Sequence, residues 1–296
     1  MNIIETTAEL RRTLAPVRGR DHVAFVPTMG CLHEGHLSLI RKAKRLADIV
    51  VVSIYVNPMQ FGPNEDFDAY PRTFEADAAL CEKEGVDIIF HPANLYPADG
   101  IKVSLKVDEL DDCLCGTSRP GHFDGVITVV NMLFNIVQPD IAIFGEKDWQ
   151  QLAIITRMVG DLQMGIEVVG APTLRESDGL AMSSRNRYLS GECRSKAAQL
   201  YKALQLMKSR VEQGELESER LIESVKAQLT DAGIMPEYLE IRDAVTLQIV
   251  TTINTPCRIF IAAKIGNARL IDNIALESAT DRVMSPVTEP AMETLL

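Results

Sequence analysis

Short apolar runs alternate with amphipathic stretches along the first 170 or so residues of the chain. Five runs have the unbroken Val, Ile and Phe character of strands buried on both faces of a sheet, and the stretches between them carry apolar residues at helical spacing. The predicted strands are residues 23–26, 49–56, 86–90, 141–144 and 166–169, and the predicted helices are residues 37–47, 73–84, 126–137 and 149–162. This alternation is typical of βαβ units, so we expect an α/β domain with a doubly wound, Rossmann-like parallel sheet.

The pattern changes after about residue 173, where charged amphipathic helices are followed by short strands. The predicted elements are helices 190–211 and 217–232 and strands 237–241 and 258–265. Residues 174–186 are rich in Arg, Ser, Asp and Gly and lack a periodic apolar face, which predicts an interdomain loop. We therefore expect an N-terminal domain, a smaller α+β C-terminal domain and a flexible tail, at residues 1–174, 175–280 and 281–296.

The composition is that of an ordinary globular protein and argues against several classes. Of the 296 residues, 46% are hydrophobic and 24% are charged, and the net charge of -11 disfavours a broad contact with nucleic acid phosphates. No apolar run reaches the roughly 18–20 residues that span a bilayer, and the N-terminus lacks a signal-peptide pattern. The six cysteines form no C-x-x-C pair, so we expect reduced thiols and a cytoplasmic protein without membrane or nucleic acid partners.

Residues 27–36, Pro-Thr-Met-Gly-Cys-Leu-His-Glu-Gly-His, follow the first predicted strand and precede the first predicted helix. The carboxyl end of a parallel strand and the N-terminus of a helix together favour an anionic ligand such as phosphate. Three common motifs do not match this segment. His36 stands where a P-loop needs lysine, no second glycine follows Gly30 at the dinucleotide spacing, and His33 is one residue too close to His36 for a zinc protease. We therefore predict no protein-bound metal.

The remaining pattern is H-x-G-H. Gly35 allows a ligand to approach the backbone closely, and the imidazoles of His33 and His36 can hydrogen-bond phosphate oxygens. The alternative is a pair of exposed loop histidines, the interpretation that we give to His22 and His91. The predicted crevice and the flanking glycines favour phosphate binding.

Six ordered segments, PTMGCLHEGH, VVSIYVNPMQF, YPRT, SRPGHFDGV, FGEKDWQQL and DGLAMSSRN, resemble the pantothenate synthetase (pantoate–β-alanine ligase) family. This family belongs to the H-x-G-H nucleotidylyl transferase superfamily, and the resemblance extends from about residue 2 to residue 276. It implies that ATP, as a substrate, drives the joining of (R)-pantoate to β-alanine through a pantoyl adenylate, with release of pyrophosphate and then AMP. It also implies Mg²⁺ carried with the ATP, and a homodimer.

In this reaction the pantoate carboxylate is itself the nucleophile, so the enzyme has to align the reactants and stabilise charge. The resemblance assigns catalysis to His36, His33 and Lys147, with His36 as the proton donor. From the chemistry, a protonated His36 would best neutralise the pentacoordinate phosphate. Asp148 matches a ribose-binding acid, and an ordinary charged loop is the alternative for Lys147 and Asp148.

The ATP site is predicted to combine three segments. The third, residues 182–186, is similar to the Lys-Met-Ser-Lys-Ser loop of class I aminoacyl-tRNA synthetases, and Arg185 supplies most of its charge. The alternative is that Ser183 and Ser184 are turn formers. The full predicted set is Met29, Gly30, Cys31, Leu32, His33, Glu34, Gly35, His36, Gly145, Glu146, Lys147, Asp148, Leu174, Met182, Ser183, Ser184 and Arg185.

Neutral amides are predicted to recognise the small acid, through Gln60 and Gln151 with Asn57 nearby. An amide leaves a carboxylate nucleophilic, whereas a bidentate arginine would hold and quench it. Three further residues have open roles, in phosphate contact, subunit contact or structure: Arg72, Arg119 and His122.

Three other functions fit parts of this pattern: an adenylyltransferase that leaves AMP on its product, an RNA-charging protein, and an inactive nucleotide sensor. A phosphorylated acceptor would need cations where Gln60 and Gln151 are neutral, the net charge opposes an RNA footprint, and the complete set of phosphate-binding residues opposes an inactive sensor. Because acyl adenylates hydrolyse readily, we expect the C-terminal domain and residues 174–186 to close over the crevice as a lid.

Overall fold

The N-terminal half of the protein is built on a sheet of six parallel strands, as described by a computed structural model. Residues 1–276 are described, with the exception of Asn64 and Asp66, so the predicted tail at 281–296 lies outside the described residues. The strands are β1 (Asn2–Ile4), β2 (Val23–Thr28), β3 (Ile49–Ile54), β4 (Ile88–Phe90), β5 (Ile141–Gly145) and β6 (Glu167–Ala171). Their order across the sheet is β1-β4-β3-β2-β5-β6, and every pair is parallel.

Helices cover both faces of this sheet. They are α1 (Thr7–Leu14), α2 (Glu34–Leu46), α3 (Phe74–Lys83), α4 (Leu114–Ser118), α5 (His122–Val137) and α6 (Trp149–Asp161). One core contains residues of α1, α5 and α6, and the other contains residues of α2 and α3. In β2, Phe25 packs into the first core while Ala24 and Val26 pack into the second. The doubly wound α/β fold expected from the sequence is thereby confirmed.

A smaller antiparallel sheet with two helices follows. Its elements are α7 (Gly191–Glu212), α8 (Ser218–Asp231), β7 (Pro236–Asp243), β8 (Cys257–Ile265) and β9 (Ala268–Leu276), with the strands in chain order. The sequence did not predict β9, because Asp272 and Asn273 interrupt its apolar pattern. Both side chains are buried, at 3% exposure, and Asp272 forms a bidentate pair with Arg175. The exact domain boundary stays a prediction.

The two sheets meet at an apolar contact around Trp149, at the start of α6. Leu114, Leu247 and Phe260 are buried there, with the indole of Trp149 packed against them. The indole N–H donates to the carbonyl of Ala244 at 2.8 Å, which fixes the ring. Of the helices in the described part of the chain, none is both long enough and apolar enough to cross a membrane.

A close backbone approach near the crevice occurs at Gly125 in α5. A Cβ atom at this position would lie 2.3 Å from the carbonyl oxygen of Met59. We expect Gly125→Ala to lower the free energy of unfolding by about 3 kcal/mol, because neither backbone can yield easily. Urea denaturation measures this change. The matched control is Gly160→Ala in α6, where the new Cβ meets no atom within 4 Å and stability should stay equal or rise slightly. Equal stability of the two variants would contradict this packing.

Candidate active site

The segments singled out in the sequence meet at the carboxyl ends of β2, β3 and β5. Beside them lies a cavity of about 530 Å³, here called the central cavity, between the parallel sheet and the antiparallel sheet. Among the predicted residues it is lined by Lys147, Asp148, Gln151, Ser183 and Arg185. Parallel α/β sheets bind their ligands at this end of the strands. The arrangement therefore provides one crevice for residues from distant parts of the chain.

The turn between β2 and α2 is held by a buried carboxylate. Gly30 and Cys31 both have a left-handed backbone, with φ of 78° and 52°. The side chain of Asp77 in α3, 2% exposed, accepts the backbone N–H of Cys31 at 2.9 Å and of Leu32 at 2.7 Å. A Cβ on Gly30 would lie 2.9 Å from the same carboxylate, so only glycine fits without displacement. Sequence reasoning missed Asp77, whose only signal was an acidic residue on the buried face of a helix.

The two motif histidines begin α2 and touch each other. His33 is the N-cap, and its Nδ1 accepts the N–H of Gly35 at 3.1 Å. His36 Nδ1 accepts the N–H of His33 at 3.3 Å, and the ring centroids are 4.1 Å apart. A Cβ at position 35 would lie 2.8 Å from the ring of His33, which explains the glycine between them. Each ring thus uses Nδ1 as an acceptor and carries a hydrogen on Nε2.

Both histidines are neutral at pH 7. Burial and the neighbouring His33 lower the pKa of His36 to about 3, and burial and Lys147 lower the pKa of His33 to about 4. The carboxylate of Asp148 acts in the opposite direction on both pKa values. The lowered pKa of His36 favours the neutral imidazole, and protonation of His36 against a pentacoordinate phosphate stays a prediction. Its Nε2–H is a neutral hydrogen-bond donor.

The segment that carries Lys147 is supported by the antiparallel sheet. The Asn273 amide donates to the carbonyls of Glu146 and Lys147, both at 2.9 Å. Arg258 donates to Asn273 at 2.7 Å, pairs with Glu146 at 3.2 Å, and lies 3.7 Å above the ring of Trp149. Sequence reasoning missed Arg258 and Asn273, because nothing in a linear pattern indicates that these strands reach the loop of Lys147.

The interdomain loop lies against the H-x-G-H turn. Met182 is close to Gly35, since a Cβ built at position 35 would be 3.7 Å from Met182 Cβ. The N–H of Met182 donates to the carbonyl of Leu174 at 2.9 Å, and Ser183 caps a short 3-10 helix by accepting the N–H of Arg185 at 3.3 Å. The serine at 183 therefore forms a turn and also lines the central cavity.

Gln60 is oriented by Asn57. The Asn57 amide, 1% exposed, donates to Gln60 Oε1 at 3.1 Å and to the carbonyl of Gly125 at 3.0 Å, and its oxygen accepts from Tyr96 and Met59. Because Oε1 is occupied, Gln60 presents its Nε2–H₂ group, which lies 3.0 Å from the Met29 sulfur. All polar groups of Asn57 are engaged within the protein, so its direct contact with a substrate stays a prediction.

The paired glutamines at the start of α6 have different environments. Gln150 is 5% exposed and fully bonded, accepting the N–H of Cys115 and donating to the carbonyls of Leu110 and Cys113, each at 2.9 Å. Gln151 lines the central cavity next to Gln150 but is only half-buried. The structure therefore separates a structural glutamine from a candidate ligand-binding one.

A parallel α/β sheet with an H-x-G-H turn at the helix after its central strand defines a class of nucleotide-binding proteins. Within that class, the family model for pantoate–β-alanine ligases matches residues 2–275. A pantothenate synthetase from Pseudomonas putida is 50% identical over 281 residues, covering 93% of this chain and 98% of the relative. The chain therefore belongs to the pantoate–β-alanine ligase family, a family of ligases.

Solved structures agree in fold and sequence. The pantothenate synthetase from Thermus thermophilus has a TM-score of 0.88 and 45% identity, covering 93% of this chain and 99% of that chain. A pantoate–β-alanine ligase from Francisella tularensis, complexed with β-γ ATP and β-alanine, has a TM-score of 0.78 and 35% identity, covering 93% and 97%. These comparisons confirm the family that the sequence motifs indicated.

The lowered histidine pKa values predict a pH-dependent stability. Below pH 6.5 the unfolded chain protonates His33 and His36 while the folded protein keeps them neutral, so unfolding takes up protons between about pH 4 and 6.5. The free energy of unfolding should therefore fall as the pH falls from 7 to 5, by on the order of 1 kcal/mol per histidine after allowance for solvent screening. Urea denaturation of wild type and of the His33→Gln, His36→Gln double variant measures this. An equal pH dependence in both proteins would contradict the assignment.

Proposed function

We propose that this protein uses ATP to join (R)-pantoate and β-alanine, through a pantoyl adenylate, releasing pyrophosphate and AMP. The observation that carries the proposal is the meeting of two neutral histidine donors, Lys147 and the Gln60 amide at the same end of the sheet. The family membership indicates the ligase activity. The geometry gives a physical reason why the reaction proceeds through a charge-stabilised transfer to the acid. We further propose that the protein acts in the cytoplasm as a homodimer; its six free thiols support a reducing compartment, and the homodimer rests on the family resemblance.

In the first half-reaction a pantoate carboxylate oxygen attacks the α-phosphorus of ATP, and the bond to the α,β-bridging oxygen breaks. The Nε2–H groups of His33 and His36 donate to phosphate oxygens whose charge increases in the transition state. The negative charge of a bound polyphosphate raises the pKa of both imidazoles. Binding of the nucleotide therefore favours sharing of a proton between an imidazole and a phosphate oxygen. Lys147 neutralises the departing pyrophosphate, with Ser183, Ser184 and Arg185 around the terminal phosphates.

Three segments are proposed to hold the rest of the nucleotide. The turn residues approach the phosphates through their backbone, as the left-handed Gly30 permits. Asp148 is proposed to bind the ribose hydroxyls, since its carboxylate is half-exposed beside Lys147 at 3.5 Å. The complete proposed set is Met29, Gly30, Cys31, Leu32, His33, Glu34, Gly35, His36, Gly145, Glu146, Lys147, Asp148, Leu174, Met182, Ser183, Ser184 and Arg185.

In the second half-reaction the β-alanine nitrogen attacks the acyl carbon, the bond to AMP breaks, and the nitrogen loses a proton. Gln60 and Gln151 are proposed to hold the acid, with Asn57 behind Gln60. The Nε2–H₂ group of Gln60 donates one N–H to the Met29 sulfur, and its second N–H suits an acceptor such as a carboxylate or hydroxyl oxygen. A neutral donor also leaves the carboxylate reactive. The related Francisella tularensis protein, solved with β-alanine, supports the identity of the second substrate.

Mg²⁺ is proposed to arrive with ATP. A nucleotide-borne Mg²⁺ is held mostly by phosphates and water and needs one or two protein carboxylates at most. Within the described residues there is no group of three or more His, Cys, Asp or Glu side chains that could hold a metal ion.

The test is ATP–pyrophosphate exchange with Mg²⁺ and (R)-pantoate, followed by formation of AMP and pantothenate when β-alanine is added. We expect His36→Ala to bind pantoate but to lose about 10²-fold or more of the exchange rate, as for removal of a transition-state hydrogen bond. The matched control is His22→Ala, outside the site, which should retain the wild-type rate. Wild-type exchange in His36→Ala would remove this histidine from the mechanism, and exchange with a different acid would replace the substrate.

The interdomain loop is proposed to shield the adenylate from water. Its base is anchored by Arg175 on Asp272 and by Arg194 on Glu176, whereas Met182 already rests against the H-x-G-H turn. We expect amide hydrogen exchange at residues 182–186 to slow when ATP and pantoate bind together, measured by mass spectrometry. The helix surface of α8 serves as the internal control. Equal exchange with and without the substrates would contradict a lid function.

A further inference from the structure

We propose that His122 is a positioning residue for the acid substrate, acting through the backbone carbonyl of Gln60. The inference rests on the proposed function, because Gln60 is the amide assigned to the acid. The sequence left the role of His122 open between phosphate contact, subunit contact and structure. The structure gives the imidazole a specific partner on the substrate-binding segment.

The hydrogen bonds around His122 define its protonation pattern. Its Nδ1 lies 2.8 Å from the carbonyl oxygen of Gln60, an atom that can only accept, so Nδ1 carries the hydrogen. Its Nε2 lies 2.9 Å from Arg119 Nη1, a group that can only donate, so Nε2 accepts. One neutral tautomer satisfies both contacts. A protonated imidazole would direct a second N–H at the guanidinium.

Arg119 is itself fixed by a carboxylate. Glu65 accepts from Arg119 Nε at 2.7 Å and from Nη2 at 2.5 Å. Arg119 Nη2 also lies 3.3 Å from the carbonyl of Gln60, next to the stronger bond from His122. The charged groups that face His122 are therefore Arg119, Glu65 and the more distant Asp148. Burial and Arg119 lower the pKa of His122 to about 4, so the neutral tautomer persists at pH 7.

Gln60 is thus held at two points. His122 fixes its backbone from the N-terminus of α5, and Asn57 fixes its side-chain oxygen at 3.1 Å. One N–H of the amide nitrogen donates to the Met29 sulfur at 3.0 Å, which leaves the second N–H for a ligand. The ring of His122 packs edge-on against the buried Phe123, with centroids 4.9 Å apart, so the imidazole cannot turn freely. Loss of the hydrogen bond from His122 would let the backbone at Gln60 shift, and the side-chain amide of Gln60 would then be misplaced.

The test compares two substitutions at this position. His122→Phe keeps a ring but removes the donor, whereas the Asn side chain of His122→Asn can place an N–H close to the former Nδ1 position. We expect His122→Phe to raise the KM for pantoate about 10-fold or more, the effect of one misplaced hydrogen bond, with the KM for ATP changed less than twofold. His122→Asn should recover most of the pantoate affinity. His22→Asn, outside the site, is the control.

The side-chain amide signals of Gln60 in NMR spectra provide a readout that needs no activity. They should move in His122→Phe and return towards wild type in His122→Asn. Three results would overturn the inference: unchanged Gln60 signals in His122→Phe, an equal rise in both KM values, or an Asn variant no better than the Phe variant. Absence of pantoate-dependent exchange in wild type would instead contradict the proposed function, and the NMR comparison would still decide the positioning role.

Discussion

The hydrogen bonds between the buried Asp77 carboxylate and the turn before α2 are the interaction on which the shape of the H-x-G-H segment depends. A buried charge is costly unless hydrogen bonds compensate it, and here two backbone N–H groups and the Thr73 hydroxyl do so. These bonds hold Cys31 in a left-handed conformation that a free chain would rarely adopt. The direction in which α2 presents His33 is therefore determined by α3, a helix that itself contacts no proposed ligand.

A second constraint joins the two sheets. Asn273 and Arg258, both buried in the antiparallel sheet, hold the backbone and side chain of the segment that carries Lys147. The loop of Lys147, the proposed phosphate-binding residue, is therefore shaped from outside the parallel sheet. The same pattern occurs at Gln60, where α5 supplies a contact through His122. In both cases a distant element holds the backbone of the residue proposed to bind a ligand.

The sequence predicted the parts of the site that follow directly from strands. The H-x-G-H turn, Gln60 and Lys147 each come after an apolar run, and the carboxyl ends of parallel strands meet at one edge. The supporting residues could not be predicted in this way. Asp77 is one of several acidic residues on an amphipathic helix. Asn273 lies on β9, where buried polar residues interrupt the apolar pattern that predicts a strand. The neutral state of His36 also depends on burial, which no spacing of residues reveals.

The two hydrogen bonds from Asn273 to the carbonyls of Glu146 and Lys147 also determine what a shortened chain would lose. A fragment that ended at residue 174 would retain every strand of the parallel sheet and the complete H-x-G-H turn. It would nevertheless lose the donors for both carbonyls, the acceptor for the Trp149 indole and the apolar cover of α6. Such a fragment would keep the architecture of the parallel sheet while the loop of Lys147 lacked a defined shape. The two sheets are separate in topology, but one supplies the contacts that shape a loop of the other.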